Sequence, residues 1–316
     1  MSFNEIIGQK KAKEILLGQM KTGKVPHAYL FIGPEGVGRK KTALEFAKAL
    51  NCAGDKQGGV DSCGECAPCQ KISKSLHPDV QIIDFEWQSR LENKEIDKQK
   101  ALKIDTIRAL QKEISLKPVE SRWKIFIIEP AEKITLDAAN CLLKTLEEPP
   151  AWTVIILLAV HKNNLPLTVV SRTQIVSFSP LAENEISGYL AGNLSVPQDA
   201  ALEVASTAEG SLSFAINNLA GQDPEIKQLW EKISENKIKT ADVLEISRLY
   251  SKTADEFLDN ILICVKKDFR NRPQRFKPAV ESIINAKKLL ESNCNSQMVL
   301  DVMLFELTDN VKYLNS

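Results

Sequence analysis

The sequence has little that would put it in a membrane, on a nucleic acid or outside a cell. Its longest unbroken apolar run, Val154 to Val160, is far too short to span a bilayer. The opening stretch, MSFNEIIGQKKAKEIL, carries charges throughout and lacks the apolar region of a signal peptide, so a cytoplasmic location with no membrane attachment is expected. Neither sign of charge is in excess. The formal net charge is +0, which offers no global basic field to nucleic acid or lipid. Aromatic residues make up 6% of the chain and form no stripe interleaved with basic residues, which argues against a dedicated nucleic-acid-binding module. There is no internal repeat and no low-complexity tract.

What is present is enough apolar residue, 43% of 316, to build more than one core, and the length suits two or three domains. The pattern predicts a helix over residues 5–20, marked by Ile6, Ile7, Ile15, Leu16 and Leu17. Strands are expected at Ala28–Ile32, Val80–Phe85, Lys124–Ile128, Thr153–Val160 and Ile175–Phe178. Between them fall helices over Lys41–Asn51, from Ile104 to before Pro118, and from a Thr135 N-cap to Leu146. Residues 86–103 are charged and read as an exposed excursion. Strands alternating with helices imply a parallel sheet with helices on both faces. After Pro180 the strand signals stop. Three short helices are expected over 183–220, a linker at 221–224, and helices alone over 225–313, with amphipathic faces marked by Leu262, Val265, Phe269, Val280, Ile283, Ile284 and Leu289.

The stretch GPEGVGRKKTA, Gly33 to Ala43, has the spacing of a phosphate-binding loop, G-x-x-x-x-G-K-[ST], set between a strand and a helix. Gly33, Gly36 and Gly38 keep the backbone cradle for phosphate oxygens. Arg39 stands in the lysine position, and a planar guanidinium does not replace a compact ammonium in a tight site. Lys40 stands where a hydroxyl should ligate Mg²⁺, and it would repel the ion. The acid expected at the end of the next strand is Glu129, but its usual acidic neighbour is Pro130. Nucleotide hydrolysis is therefore not expected, while weak nucleotide binding remains open.

Seven cysteines in a cytosolic chain suit metal ligation or core positions better than disulfides. Cys52, Cys63, Cys66 and Cys69 form C-x10-C-x2-C-x2-C. Two-residue gaps let thiolates converge, and four sulfurs close a tetrahedral Zn²⁺ shell with no open position, so the expected role is structural. Gly58, Gly59 and Gly64 are expected to supply its turns. Cys141, Cys264 and Cys294 are expected in the core. His77 is expected to be an ordinary hydrogen-bonding residue.

Taken in order, HAYLFIGPEGVG, Asn51-Cys52 with the three later cysteines, His77-Pro78-Asp79, LLKTLEEPP from Leu142 to Pro150, and Ser171-Arg172-Thr173 resemble the AAA+ subunits of the bacterial DNA polymerase III clamp loader. The likeness covers about residues 3–220, and the helical tail fits by length and class. It implies a RecA-like α/β domain over 1–180 with a zinc module at about 52–69. A small helical lid over 181–221 and an all-α collar over 222–316 would follow. The family has an ATP-hydrolysing motor type, gamma/tau, and a rigid type, delta-prime. Two further family contacts are degraded here. The sensor-1 polar residue falls at Ala159 or Val160, and Ser213 stands in the place of the sensor-2 arginine, so the resemblance points to the rigid type. It also implies that Arg172, flanked by Ser171 and Thr173, is an arginine finger for the ATP site of a neighbouring subunit, with Thr173 where the family has cysteine. The implied partners are gamma/tau-like and delta-like subunits in a pentameric ring, and through the ring a sliding clamp and primed DNA.

Overall fold

The computed structural model describes residues 2–54, 60–96, 99–220, 224–235, 237–238, 240–292 and 294–313. The chain divides into two compact units, Met1–Ser195 with Glu209–Ser213, and Val196–Ala208 with Phe214–Ser316.

The first unit is built on five parallel strands: β1 (Ala28–Ile32), β2 (Val80–Ile83), β3 (Lys124–Ile128), β4 (Thr153–Ala159) and β5 (Gln174–Ser177), in the order β2-β3-β4-β1-β5. β3 and β4 are buried along their whole length and are the near-continuous apolar runs expected of strands covered on both faces. Alternate residues feed two cores. Tyr29 and Phe31 pack with Phe46 of α2 (Arg39–Asn51) and Leu16 of α1 (Lys10–Thr22). Leu30 and Phe126 pack on the other face with Leu110 of α5 (Ile104–Ser115) and Leu142 of α6 (Leu136–Glu147). Thr135 caps α6 as expected, its hydroxyl accepting from the Ala138 N–H at 3.3 Å. Two shorter helices complete the chemistry-bearing part, α3 (Ala67–Ser73) and α7 (Leu167–Val170), and α8 (Glu183–Leu194) follows the sheet.

In this unit three expectations change. The first helix starts at Lys10 rather than residue 5, because Gly8 and Gln9 both adopt left-handed backbone (φ 56° and 49°) after a 3₁₀ turn at Phe3–Glu5. β2 stops at Ile83, since the Asp84 carboxylate caps a new helix, α4 (Phe85–Glu92), by accepting from the Trp87 N–H at 2.9 Å. Residues 86–103 are consequently only in part the exposed excursion expected: 93–96 are exposed, while other positions anchor the segment. Gln88 is fully buried and its amide bonds Gln99, the Ala101 carbonyl and the Lys103 N–H. Leu102 is bridged to Ile134. An amide that satisfies all its partners can be buried inside a charged-looking segment, and composition does not reveal it. Residues 97 and 98 lie outside the described residues.

The second unit holds α9 (Gln198–Thr207), most of α10 (Leu212–Ala220), α11 (Pro224–Ser234), α12 (Thr240–Tyr250), α13 (Ala254–Asn271), α14 (Pro273–Glu291) and α15 (Ser296–Tyr313). Its core joins Trp230, Phe257, Ile261, Val265, Ile283 and Leu304. The Trp230 indole N–H donates to Asp268 at 2.7 Å, so its polar edge is satisfied. Pro224, expected in a linker, is the first residue of α11, and 221–223 lie outside the described residues.

Candidate functional site

The residues singled out by sequence gather at opposite ends of the sheet. At the carboxyl ends of the strands, β1 runs into the glycine loop and then α2. Gly36 (φ 72°) and Gly38 (φ 97°) take left-handed backbone that other residues resist. A Cβ on Gly33 would sit 2.5 Å from the Phe178 carbonyl oxygen, and one on Gly36 would sit 2.0 Å from the Ser211 hydroxyl. The Gly36 carbonyl accepts from the Leu212 and Ser213 N–H groups at 3.0 and 3.3 Å. The stretch Gly210–Ser213 is thus laid on the loop, and Ser213 brings no cation to it. Gln9 ties the loop down from the other side, donating to the Val37 and Ser179 carbonyls at 3.3 and 2.7 Å.

The charged groups of the loop already have occupations. Lys40 Nζ lies 2.9 Å from Glu129 Oε2, so the acid ending β3 is paired with an ammonium of its own chain. Arg39 is nine-tenths buried, and its Nη1 has no hydrogen-bond partner among the described residues. Glu132, two residues beyond Pro130, accepts from the Val160 N–H at 3.4 Å, so the end of β4 presents backbone there rather than a polar side chain. Backbone cradle and Arg39 suit an anion such as phosphate. The metal side does not fit Mg-ATP. A divalent ion needs oxygen ligands, and here the position of the hydroxyl ligand carries a cation bonded to the remaining acid.

At the amino ends of the strands lies a second cluster. Arg172 follows α7, just ahead of β5, while β1 pairs with β5 from Tyr29↔Gln174 to Ile32↔Ser177. About 10–13 Å of strand therefore separates Arg172 from the level of the chain's own glycine loop. Its Nη1 donates to the Thr168 carbonyl at 3.0 Å and to Ser171 Oγ at 3.4 Å, and its Nη2 lies 2.6 Å from Glu147 Oε1. Thr173 donates to the Val170 carbonyl at 2.9 Å and closes the turn. Glu147 ends α6 in the LLKTLEEPP stretch. His27, immediately before β1, donates from Nε2 to the Leu146 carbonyl at 3.0 Å and satisfies one orphan oxygen of that helix end. Sequence reasoning gives Glu147 no catalytic role and suggests only a tertiary one. The one signal available was an acid in the last turn of a helix, where the macrodipole disfavours it.

The four cysteines converge as their spacing implies. Their sulfurs all lie within 4.8 Å of one another. Cys52 and Cys66 Sγ are 3.9 Å apart, close to the edge of about 3.8 Å in a tetrahedron with Zn–S bonds of about 2.3 Å. The Cys63 N–H donates to Cys52 Sγ and the Cys66 N–H to Cys63 Sγ, at 3.4 and 3.3 Å, as backbone donors do around thiolates. Burial pushes the Cys66 thiol up, but backbone N–H groups and neighbouring thiols outweigh it and hold it at about 6. The donor set fits a closed Zn²⁺ shell, which would supply a covalent-strength crosslink and no chemistry. Gly64 (φ 78°) supplies a turn, and Gly58 and Gly59 lie outside the described residues. Gly54 was missed: a Cβ there would meet Cys63 Sγ at 2.8 Å. Cys141 and Cys264 are half-buried against the cores, but Cys294 is exposed, because it falls beyond the end of α14.

His77 proves structural. Its Nδ1 accepts from the Asp79 N–H at 3.1 Å, so Nε2 carries the proton and donates to Ser121 Oγ at 2.8 Å. A ring that donates to the hydroxyl cannot activate it as a base. Asp79 accepts from the N–H groups of Val119, Glu120 and Ser121 at 2.8, 2.9 and 3.0 Å and pins that turn to β2. Burial holds the imidazole below its ordinary value of 6.5.

Parallel sheet, glycine loop after β1 and helix on that loop define a phosphate-loop α/β protein with an altered metal side. A family model described as "DNA polymerase III, delta subunit" matches residues 8–182, more than half the chain, and the chain belongs to that family. It is 32% identical over 223 residues to DNA polymerase III subunit tau of Bacillus subtilis, covering 69% of this chain and 37% of that protein. It is 34% identical over 188 residues to subunit delta' of the same organism, covering 60% of this chain and 52% of that one. The chain thus spans about a third to a half of the curated relatives it matches. A DNA polymerase III gamma subunit-related protein from Thermotoga maritima superposes with a TM-score of 0.49 at 18% identity, over 96% of this chain and all of that one. No described helix is long and apolar enough to cross a membrane.

Proposed function

We propose that this chain is the non-hydrolysing, delta-prime-type stator of a DNA polymerase III clamp loader, and that it lends Arg172 to the ATP site of a neighbouring motor subunit. The observation that carries the first half is the Lys40–Glu129 pair at 2.9 Å. An ammonium in the hydroxyl position, bonded to the acid that ends β3, opposes Mg²⁺ by its charge, and Arg39, Pro130 and Ser213 add three further departures from a working site. The second half draws support from the placement of Arg172 at the amino ends of the strands, too far along the sheet to serve its own loop. In trans, a guanidinium stabilises charge on the γ-phosphate as it transfers. The zinc module at 52–69 would stiffen the base of α2. Residues 181–221 would form the lid and 222–316 the collar that joins gamma/tau-like and delta-like subunits into a pentameric ring. Through that ring the chain would act on a sliding clamp and primed DNA.

A motor-type reading has one observation in its favour. The tau match extends over 223 residues and the delta' match over 188. The degraded metal side weighs more, because hydrolysis needs it.

In a loader reassembled with the motor and delta-like subunits of its own cell, Arg172→Ala is expected to leave assembly intact. It should cut ATP turnover at the interface it serves by about a hundredfold or more. Unchanged single-turnover hydrolysis in an intact complex removes the finger role.

A further inference from the structure

Arg172 is partly exposed, and its guanidinium is held along its own surface. Every hydrogen bond of its guanidinium runs to its own chain: Nη1 to the Thr168 carbonyl one turn back and to Ser171 Oγ, and Nη2 to Glu147 at 2.6 Å. The carboxylate at this distance occupies Nη2, one of the two guanidinium nitrogens that could otherwise meet a phosphate. Glu147 is also placed against its own local preference, at the C-terminal end of α6 where backbone carbonyls already concentrate negative charge. A neighbouring acid, Glu148, sits at the same end, so the counter-ion is specific to the side chain that reaches Arg172. The His27–Leu146 bond fixes the helix end that carries Glu147 to the start of β1, so the acid is held in place relative to the sheet.

We infer that Glu147 is a positioning residue that parks Arg172 in the free subunit and is exchanged for the phosphate of a neighbour's nucleotide on assembly. This rests on the finger reading above and adds to it the residue that controls the finger. The pair is half-exposed, with side chains 36% and 49% accessible, so it is screened by solvent and weak enough to exchange. A phosphate brings more negative charge than one carboxylate and wins the guanidinium when both subunits are docked. Until then the pair keeps an exposed arginine from binding unrelated anions.

The test compares wild type, Glu147→Gln, Glu147→Asp, Arg172→Ala and the Arg172→Ala/Glu147→Gln double variant, each assembled with the motor and delta-like subunits and assayed for ATP turnover. Gln keeps the shape and removes the charge. Glu147→Gln should lower the half-saturating ATP concentration about two- to fivefold, the range an exposed pair supports, with kcat unchanged. Glu147→Asp should return it towards wild type, and the double variant should match Arg172→Ala alone. Thermal melting of each variant separates these effects from misfolding. If Arg172→Ala slows hydrolysis but Glu147→Gln matches wild type, lowers kcat, or shifts the Arg172→Ala background equally, the parking role fails and the finger stands. If Arg172→Ala changes nothing, both readings fall.

Discussion

Single residues decide what the glycine loop can still do. Gly36 and Gly38 share left-handed backbone, but only Gly36 has a neighbour in the way of a side chain. Placing a Cβ in this region costs about 1–2 kcal/mol by backbone strain alone. Gly38→Ala meets open space and should lose about that much. Gly36→Ala adds a collision with Ser211 and crowding against Ser213, so it should lose at least about 1 kcal/mol more in chemical denaturation. Equal losses for the two variants would mean that residues 211–213 do not press on the loop. Legibility divides along the same line. The spacing of Gly33, Gly36 and Gly38 announced a loop because backbone demands leave glycines behind. The partner of Lys40 was not announced, because the contact joins the start of α2 to the end of β3 across 89 positions of chain. For Glu147 a tertiary role was legible but its partner was not, for the same reason, Arg172 being 25 positions away.

At the scale of elements, the parallel strands were legible because burial on both faces removes alternation, as in Ile125–Ile128 and Val154–Ala159. Residues 86–103 were not, because the Gln88 network satisfies buried amides with partners no periodicity encodes. The cysteine insert was legible from spacing alone, and it makes the clearest claim about an element. Its thiols contribute little to the sheet's two cores: Ile72 of α3 belongs to one of them, and Phe3 reaches the insert through a backbone N–H donated to Asp61. Metal should therefore hold the insert and not the sheet. Protein prepared without chelator should contain one equivalent of zinc. Stripping it should leave the far-UV spectrum nearly intact while four thiols become reactive and the insert becomes protease-sensitive. Four thiols already reactive before stripping, or no stoichiometric metal, would sink the site.

The whole molecule poses a question of economy under the proposed reading: a nucleotide fold kept while the residues of its metal side are changed. Retention makes physical sense if the sheet now serves as a rigid mount, because its two ends remain coupled through one buried layer. The glycine loop, its Gln9 tie and the overlying Ser211–Ser213 brace the carboxyl ends, and the strands carry that stiffness to Arg172 at the amino ends. A mount of this kind needs no ligand to be ordered, and the Lys40–Glu129 pair supplies internally the neutralisation that a metal would bring. Mg²⁺ should consequently gain nothing on this chain. Titrated with ATP, the isolated protein should bind weakly, and its affinity should be the same with Mg²⁺ or EDTA, since only the cradle and Arg39 are available to the phosphates. Lys40→Thr restores the missing hydroxyl and frees Glu129, yet turnover should stay at background because Arg39, Pro130 and Ser213 still stand in the way. Micromolar binding that needs Mg²⁺, or turnover switched on by Lys40→Thr alone, would show that the chain is a motor with one substituted ligand and not a mount.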